Sequence, residues 1–390
     1  MKYLFLFALL FISACATKPP QVYNTSPITM DAYGRGYYGG HSEGQRNLQQ
    51  IPTLKDTLTT AQKRALDNFT AYASRDNNHA LGGMVVYHKG VPVYSWFDTA
   101  NGAVSNETYQ TNSLTKSVTS LLLGIAIDQG FIKSVDDPAA RYLGSLSQYF
   151  TGAKANITIK DLLTMTDAIS WNQQLYKSDG SINTNNSIDK MFYASNPARY
   201  VASLPANSNA TGSFAYGEWQ PFLIGQIIQN ATQTNLFDFA QQHLFTPMGI
   251  QYWHWHTFGG NSSPNTNGGV YLTVWDRAKL GQMLLDQGKW QGKQIVSQQW
   301  VAQSTQNQLA KPWSAWAGSS YGYYWWLNQY NVGQQQVSSI SALGWGGNSI
   351  IVYPERDLVI ATMGGDYDSS SMAGFELNEY LAKRVVTRYF

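Results

Sequence analysis

The sequence predicts a mixed α/β protein of the α+β kind, with strands near both ends of the chain and helices between them. Three observations carry this. Residues 82–96 read as a β-hairpin: Met84-Val85-Val86-Tyr87, a turn at His88-Lys89-Gly90, then a second apolar run over 91–96. Residues 348–353 and 358–363 make a second hairpin pattern around a turn at 354–357. Between about 136 and 285 the apolar residues recur mainly at helical spacing, interrupted by Asn-rich loops.

Taken in order, the chain begins with Lys2, an apolar run over 3–12 and Ser13-Ala14-Cys15. This reads as a signal peptide over 1–14, and the run is too short for a spanning helix of about 20 residues. Ile12-Ser13-Ala14-Cys15 resembles the bacterial lipobox, in which the cysteine becomes the lipidated first residue. The expectation is a cell-envelope lipoprotein anchored to a membrane at Cys15. Ala16 in place of Asp favours the outer membrane, facing the periplasm, if the cell is Gram-negative. The alternative is an ordinary secretory signal with an incidental cysteine. Residues 15–58 look like a tether, with Pro19-Pro20 and a Gly/Tyr-rich stretch. Ala61, Ala65, Leu66, Phe69 and Tyr72 then predict a helix with Thr60 as its N-cap. Residues 113–127 predict a buried helix. Residues 157–165 and 222–228 are the clearest helices of the middle region, and 172–212 read as a long loop. Residues 321–327 form a Tyr/Trp-rich strand, and 375–389 a closing helix with an apolar stripe. The division expected is an α/β domain from 59–135 and 286–390, and a mainly helical domain over 136–285.

Composition narrows the function classes. Apolar residues make up 43% of the 390, enough to build a large core and exclude general disorder. Charged residues are only 13%, the net charge is +2 and no basic block occurs, so nothing supports a nucleic-acid partner. Cys15 is the one cysteine, which leaves the mature chain without a disulfide or a thiol nucleophile. The six histidines include His254-Trp255-His256 but no HExxH, so no metal site is expected. Phosphate-cradling glycine loops are absent, and no cofactor is expected.

Serine chemistry remains. Gly318-x-Ser320-x-Gly322 matches the nucleophile elbow of α/β-hydrolases, but a strand-like Tyr/Trp run follows and no histidine occurs after His256, so the triad order fails. Ser-x-x-Lys occurs twice, at Ser113/Lys116 and Ser187/Lys190, and the pattern alone is not specific. Context separates them. Ser113 follows Thr111-Asn112 and opens the buried helix, so Lys116 lies on its face one turn on. A helix N-terminus offers unpaired N–H groups to a developing negative charge, and a desolvated lysine can serve as a base. Ser187 lies in an Asn-rich stretch with no apolar helix following and reads as solvated surface.

In this setting the chain resembles the serine hydrolases of the class C β-lactamase and penicillin-binding type, including 6-aminohexanoate-dimer hydrolase and related esterases. The resemblance spans about 60–390. It rests on Ser113-x-x-Lys116, the segment 157–166, Tyr216-Gly217-Glu218, Asn267-Gly268-Gly269 running on to Arg277, the Tyr/Trp segment 321–326, and Gly344-Trp345-Gly346-Gly347-Asn348, all in the family's order. It implies a β-lactamase-like fold: an antiparallel sheet flanked by helices, plus a helical domain with the site between. It also implies Ser113 as acylated nucleophile, Lys116 as its activator, and Tyr216 as proton shuttle to the leaving group. The Ser113 and Asn348 N–H groups would form the oxyanion hole. Glu218, Trp345, Gly346, Gly347 and Trp171 would line the substrate cleft.

Two departures bear on substrate. Glu218 stands where β-lactamases carry Asn, and Trp345 where the family carries a cation for a substrate carboxylate. Both favour a neutral or cationic ester or linear amide over a β-lactam. The function expected is an exported serine hydrolase working through an acyl-enzyme on a small-molecule ester or amide. The rivals are a β-lactamase or penicillin-binding D-peptidase, and a catalytically silent envelope-binding protein. Retention of Ser113, Lys116 and Tyr216 together argues against silence.

Overall fold

The computed structural model describes residues 51–75, 80–172, 183, 185–207, 212–257, 263–310, 319–365 and 373–390. The expected signal peptide, Cys15 and all but the last residues of the tether lie outside these. Among the described residues no helix is long and apolar enough to cross a membrane.

The chain enters through α1 (Thr60–Ala73). Its N-cap is Thr59, not Thr60: the Thr59 hydroxyl accepts from the Gln62 N–H while the Gln62 side chain accepts from the Thr59 N–H. That reciprocal pair satisfies two donors that the helix leaves open, which Thr60, already helical, does not do. The first hairpin follows as β1 (Leu81–His88) and β2 (Val91–Phe97), turning at Lys89-Gly90. Then come β3 (Tyr109–Gln110) and α2 (Leu114–Asp128). The middle region supplies α3 (Ile159–Thr164), α4 (Ser187–Tyr193), α5 (Pro197–Ser203), α6 (Trp219–Thr232) and α7 (Leu236–Ala240). It continues with β4 (Trp253–Trp255), β5 (Val270–Leu272) and α8 (Val274–Leu285). A short ribbon, β6 (Lys289–Trp290) with β7 (Lys293–Gln294), leads to α9 (Gln298–Ser304). The sheet then resumes: β8 (Leu309–Ala310), β9 (Ser319–Tyr321), β10 (Trp326–Val332), β11 (Gln335–Gly344), β12 (Asn348–Tyr353) and β13 (Leu358–Gly364). The chain closes with α10 (Ala373–Tyr380), which runs on through wider turns to Tyr389.

The main sheet is antiparallel in the order β2-β1-β13-β12-β11-β10-β9-β8, so the two hairpins legible in sequence meet through β1 and β13. Both of its faces are covered, and alternate residues divide between them as the pleat requires. Val85, Ile350, Val352, Val359 and Ala361 face a core shared with α2, α6 and α8. Met84, Val86, Ile351 and Ile360 face the other side, against α1 and the C-terminal helix. This double burial is why these strands read as unbroken apolar runs rather than alternating ones. The Tyr72 and Tyr380 rings stack at 4.7 Å between the two outer helices. On the inner face Gly281 lets α8 lie directly on the sheet: a Cβ there would come within 2.5 Å of Val359 and 2.8 Å of Ile350. Helix α8, expected with the helical region, therefore packs on the sheet. A small sheet, β3-β5-β4, joins the two regions beside α2.

Three further expectations need correction. Residues 172–212 are not one long loop, because they carry α4 and α5. Asn186 and Asn196 cap these helices by accepting from the N–H groups of Asp189 and Arg199, so the Asn-rich composition marks caps. Ser187 is not solvated surface. It is buried in the first turn of α4, its hydroxyl accepting from the Asn172 N–H, while Lys190 is exposed. Finally, the 321–327 run is not one strand. Gly322–Trp325 turn back between β9 and β10, with Tyr324 at φ 64°.

Candidate active site

Ser113 opens α2 and is half-buried. The residue before it, Asn112, adopts a left-handed backbone with φ 51°, a conformation that Asn tolerates better than most residues. Its side-chain amide donates to the Trp345 carbonyl at 2.8 Å, which pins this bend to the turn between β11 and β12. The same carbonyl accepts from the Asn348 side chain, also at 2.8 Å. Gly346 and Gly347 both have left-handed φ, 82° and 85°, so the Gly-Gly pair is what allows so tight a turn. Gly344 closes the approach: a Cβ there would sit 2.1 Å from the Thr111 carbonyl oxygen. The two segments that carry the expected oxyanion donors, at Ser113 and Asn348, are thereby stitched to one another.

Lys116 lies one turn into α2, and its side chain is 1% exposed. Its Nζ donates to Ser113 Oγ at 3.0 Å, to the Asn267 carbonyl at 3.1 Å and to Glu218 Oε2 at 3.2 Å. The Tyr216 ring centroid lies 4.9 Å from the same nitrogen. Burial by itself would lower the Lys116 pKa. The Glu218 carboxylate, with Tyr216, outweighs burial, and the net displacement is upward. The sequence-based expectation that desolvation frees this lysine as a base is therefore corrected. An ammonium has three donors and no acceptor, and here all three have partners. Glu218 is corrected too. It does not stand as a bare negative charge toward the substrate, because its carboxylate is buried against Lys116.

Tyr216 is half-buried in an aromatic wall. Its ring stacks on Trp326 at 5.9 Å, and Phe214 and Tyr321 pack around the same pair. Trp171 lies against Trp219 at 4.8 Å, which brings it to the start of α6, next to Glu218. Trp345 is half-buried at the mouth of the β11–β12 turn. Ser113, Lys116, Tyr216 and Glu218 thus come together, with Trp345, Gly346, Gly347 and Asn348 against the Ser113 segment. Cys15 lies outside the described residues.

Four contributors were not singled out from sequence. Asn267 serves through its backbone carbonyl, which no residue type advertises. Asn112 serves through its bend. Arg277, wholly buried, donates to Asn348 Oδ1, to the Thr362 carbonyl and to the carbonyls of Tyr109 and Gln110. It holds the base of the turn from behind. Asp167 accepts from Trp219 Nε1 and from the Ile169 N–H, each at 2.9 Å, fixing the Trp219–Trp171 pair.

Other candidates fall away. Ser320 lies in a strand rather than at a strand-to-helix turn. His254 is buried and His256 half-buried, with ring centroids 4.9 Å apart, and desolvation lowers both pKa values, His256 to about 4. They pack with Tyr271, and among the described residues no group of three or more His, Cys, Asp or Glu is placed to hold a metal.

Burial raises the Asp167 pKa from 3.8 to about 6. The native state therefore takes up this proton before the unfolded chain does. The stability it contributes is present below about pH 4 and is lost as pH rises through about 6, a change of about 3 kcal/mol. Asp167→Asn should flatten that segment of the stability profile, measured by denaturant unfolding between pH 4 and 7. An unchanged profile would contradict the assignment.

Known proteins resemble this chain in sequence and fold. A protein-family model described as Beta-lactamase matches residues 63–368. The 6-aminohexanoate-dimer hydrolase of Paenarthrobacter ureafaciens is 23% identical over 274 residues, 67% of each chain. Among solved structures, a Bacillus anthracis protein with a provisional 6-aminohexanoate-dimer hydrolase assignment superposes with a TM-score of 0.64 at 18% identity, covering 94% of this chain and 88% of that one. A class C β-lactamase gives 0.63 at 13% identity, covering 87% and 99%. The family match spans most of the chain and includes the serine–lysine pair, the Tyr216 segment and the glycine turn, so this chain belongs to the β-lactamase family of serine hydrolases.

Proposed function

We propose that the protein hydrolyses a neutral ester or linear amide through an acyl-enzyme on Ser113. The observation that carries this is the Ser113 hydroxyl, held 3.0 Å from Lys116 Nζ at the start of a buried helix and half-open to the cleft. Ser113 Oγ attacks the carbonyl carbon. The negative charge that develops on the carbonyl oxygen meets the N-terminal end of α2 and the N–H groups of Ser113 and Asn348, which require no reorganisation as the charge forms. Tyr216 passes a proton to the leaving group, and water then releases the acyl chain.

Substrate charge follows from where the cations are spent. Lys116 is neutralised by Glu218, and Arg277 is wholly buried on four oxygen acceptors. Trp345 occupies the family's cation position. A substrate carboxylate entering a partly desolvated cleft would find no compensating charge in these groups, which is costly. The aromatic wall of Phe214, Tyr216 and Trp326 suits an apolar acyl or leaving group. A relative named a 6-aminohexanoate-dimer hydrolase supports a linear amide among the candidate substrates.

We propose further that the protein is exported and anchored to the envelope at a diacylglyceryl-modified Cys15, on the strength of Ile12-Ser13-Ala14-Cys15. Mass spectrometry of the native protein should find the modified cysteine as residue one. An unmodified N-terminus downstream of Cys15 would defeat this.

A fluorophosphonate probe should label the wild type at Ser113, and Ser113→Ala should abolish labelling and turnover while the protein stays folded. Ser320→Ala and Ser187→Ala should still be labelled, the second with about 1 kcal/mol lost from its buried hydrogen bond. Labelling of Ser113→Ala at the wild-type level would overturn the assignment. Short-chain nitrophenyl esters should show a kcat/KM at least about 100-fold above that for nitrocefin, since each 1.4 kcal/mol of unpaired-charge cost is tenfold. Trp345→Lys should narrow the gap. Efficient hydrolysis of nitrocefin by the wild type would favour the β-lactamase alternative.

A further inference from the structure

The ammonium at Lys116 poses a problem for the reaction. Ser113 must lose a proton as it attacks, yet its nearest neighbour is a cation with no lone pair to receive one. Glu218 Oε2 lies on the other side of that nitrogen, at 3.2 Å, with both side chains buried. We infer that Glu218 is the terminal acceptor of the Ser113 proton, reached through Lys116. This rests on the hydrolase reading above and assigns Glu218 as a positioning residue, acting through the lysine rather than on the substrate.

The protons balance. Nζ first passes a proton to Glu218 Oε2 along their hydrogen bond and turns the lone pair so freed toward Ser113. As the Oγ–C bond then forms and the carbonyl π pair moves to oxygen, the Oγ proton passes to Nζ. Lys116 is again an ammonium and Glu218 has become a neutral acid. When the bond to the leaving group breaks, Tyr216 gives its hydroxyl proton to that group. Tyr216 recovers a proton from Lys116, which recovers one from Glu218. Water replaces Ser113 in the second half-reaction. The hop to Glu218 runs along a hydrogen bond already formed, whereas Nζ is the donor to Ser113 Oγ and that contact must reverse. A one-third turn of the amine does this and leaves an N–H on the Asn267 carbonyl.

The titratable groups around Glu218 are few. Lys116 faces it from α2 and Tyr216 precedes it on the same segment. Tyr321 faces it from β9, its pKa raised by burial and by neighbours that include Tyr216 and Glu218. Tyr324 lies near Tyr216 and is likewise raised by burial. Asp167 lies behind, bonded to Trp219, and its own ionisation near 6 must be separated from that of the relay.

The test is the pH profile of kcat and KM for nitrophenyl butyrate on the wild type, Glu218→Gln, Glu218→Asp and Asp167→Asn, with fluorophosphonate labelling of Ser113 in parallel. In Glu218→Gln, kcat at neutral pH should fall about 100-fold or more with KM little changed, then recover as pH rises and Lys116 sheds its proton. Glu218→Asp should keep the wild-type acid limb at a reduced rate, and Asp167→Asn should keep that limb whatever its maximal rate. A Glu218→Gln enzyme as fast as wild type, or equally slow at every pH, would overturn the inference, as would loss of the acid limb in Asp167→Asn alone. Should the Gln variant not fold, Glu218→Asp still decides: its shorter carboxylate should lower kcat with KM little changed, and an unchanged kcat would overturn the relay. Absence of wild-type labelling at Ser113 would instead sink the hydrolase reading itself.

Discussion

The structure is organised around a buried cation. Taking the Lys116 ammonium out of water is costly unless charge and hydrogen-bond partners replace the solvent. Its three partners come from the start of its own helix, the segment leading into α6 and the loop before β5. Satisfying one lysine therefore fixes three parts of the chain relative to each other. The loop is held in turn by Asn265, whose side chain accepts from the N–H groups of Asn267 and Gly268. Removing one partner would leave a buried charge exposed to a low-dielectric interior, which is why these segments cannot drift independently.

A second set of polar contacts joins the helix to the sheet. Asn112 and Asn348 both donate to the Trp345 carbonyl, and Arg277 reaches Asn348 from α8. The guanidinium is wholly buried and also bonds the carbonyls of Tyr109, Gln110 and Thr362, so it ties the turn to β13 and β3. Because α8 lies tightly on the sheet over Gly281, this contact is carried by a rigid element rather than a loop. Ser113 sits at the start of a helix, its facing turn on a sheet, and the two segments are bonded directly through Asn112.

Tyr216 is packed among aromatic residues, several of them fully buried. Burial keeps Tyr321 and Tyr324 well above the ordinary tyrosine range, so they serve as neutral packing and hydrogen-bonding groups around Tyr216. Tyr324 donates to the Leu162 carbonyl, which ties the β9–β10 turn to α3. The left-handed backbone at Tyr324 is what breaks the aromatic run into two strands and swings this hydroxyl across.

Much was legible in the sequence because it is local. Both hairpins, the buried helix beginning at Ser113 and the glycine pair at 346–347 follow from side-chain period and turn chemistry over a few residues. The order of several weak motifs was enough to point to the family. What the sequence left open depends on partners far apart in the chain. Read alone, Glu218 was a charge set against the substrate and Lys116 a desolvated base. The fold brings together these two residues, 102 positions apart, and each reverses the other's expected behaviour. Ser187 was misread for a related reason: an Asn-rich stretch is polar by composition, yet its asparagines cap helices that carry the serine inward. Period and turn residues act over a few bonds and leave a signature in sequence. A buried charge takes its character from whichever group the tertiary structure sets beside it.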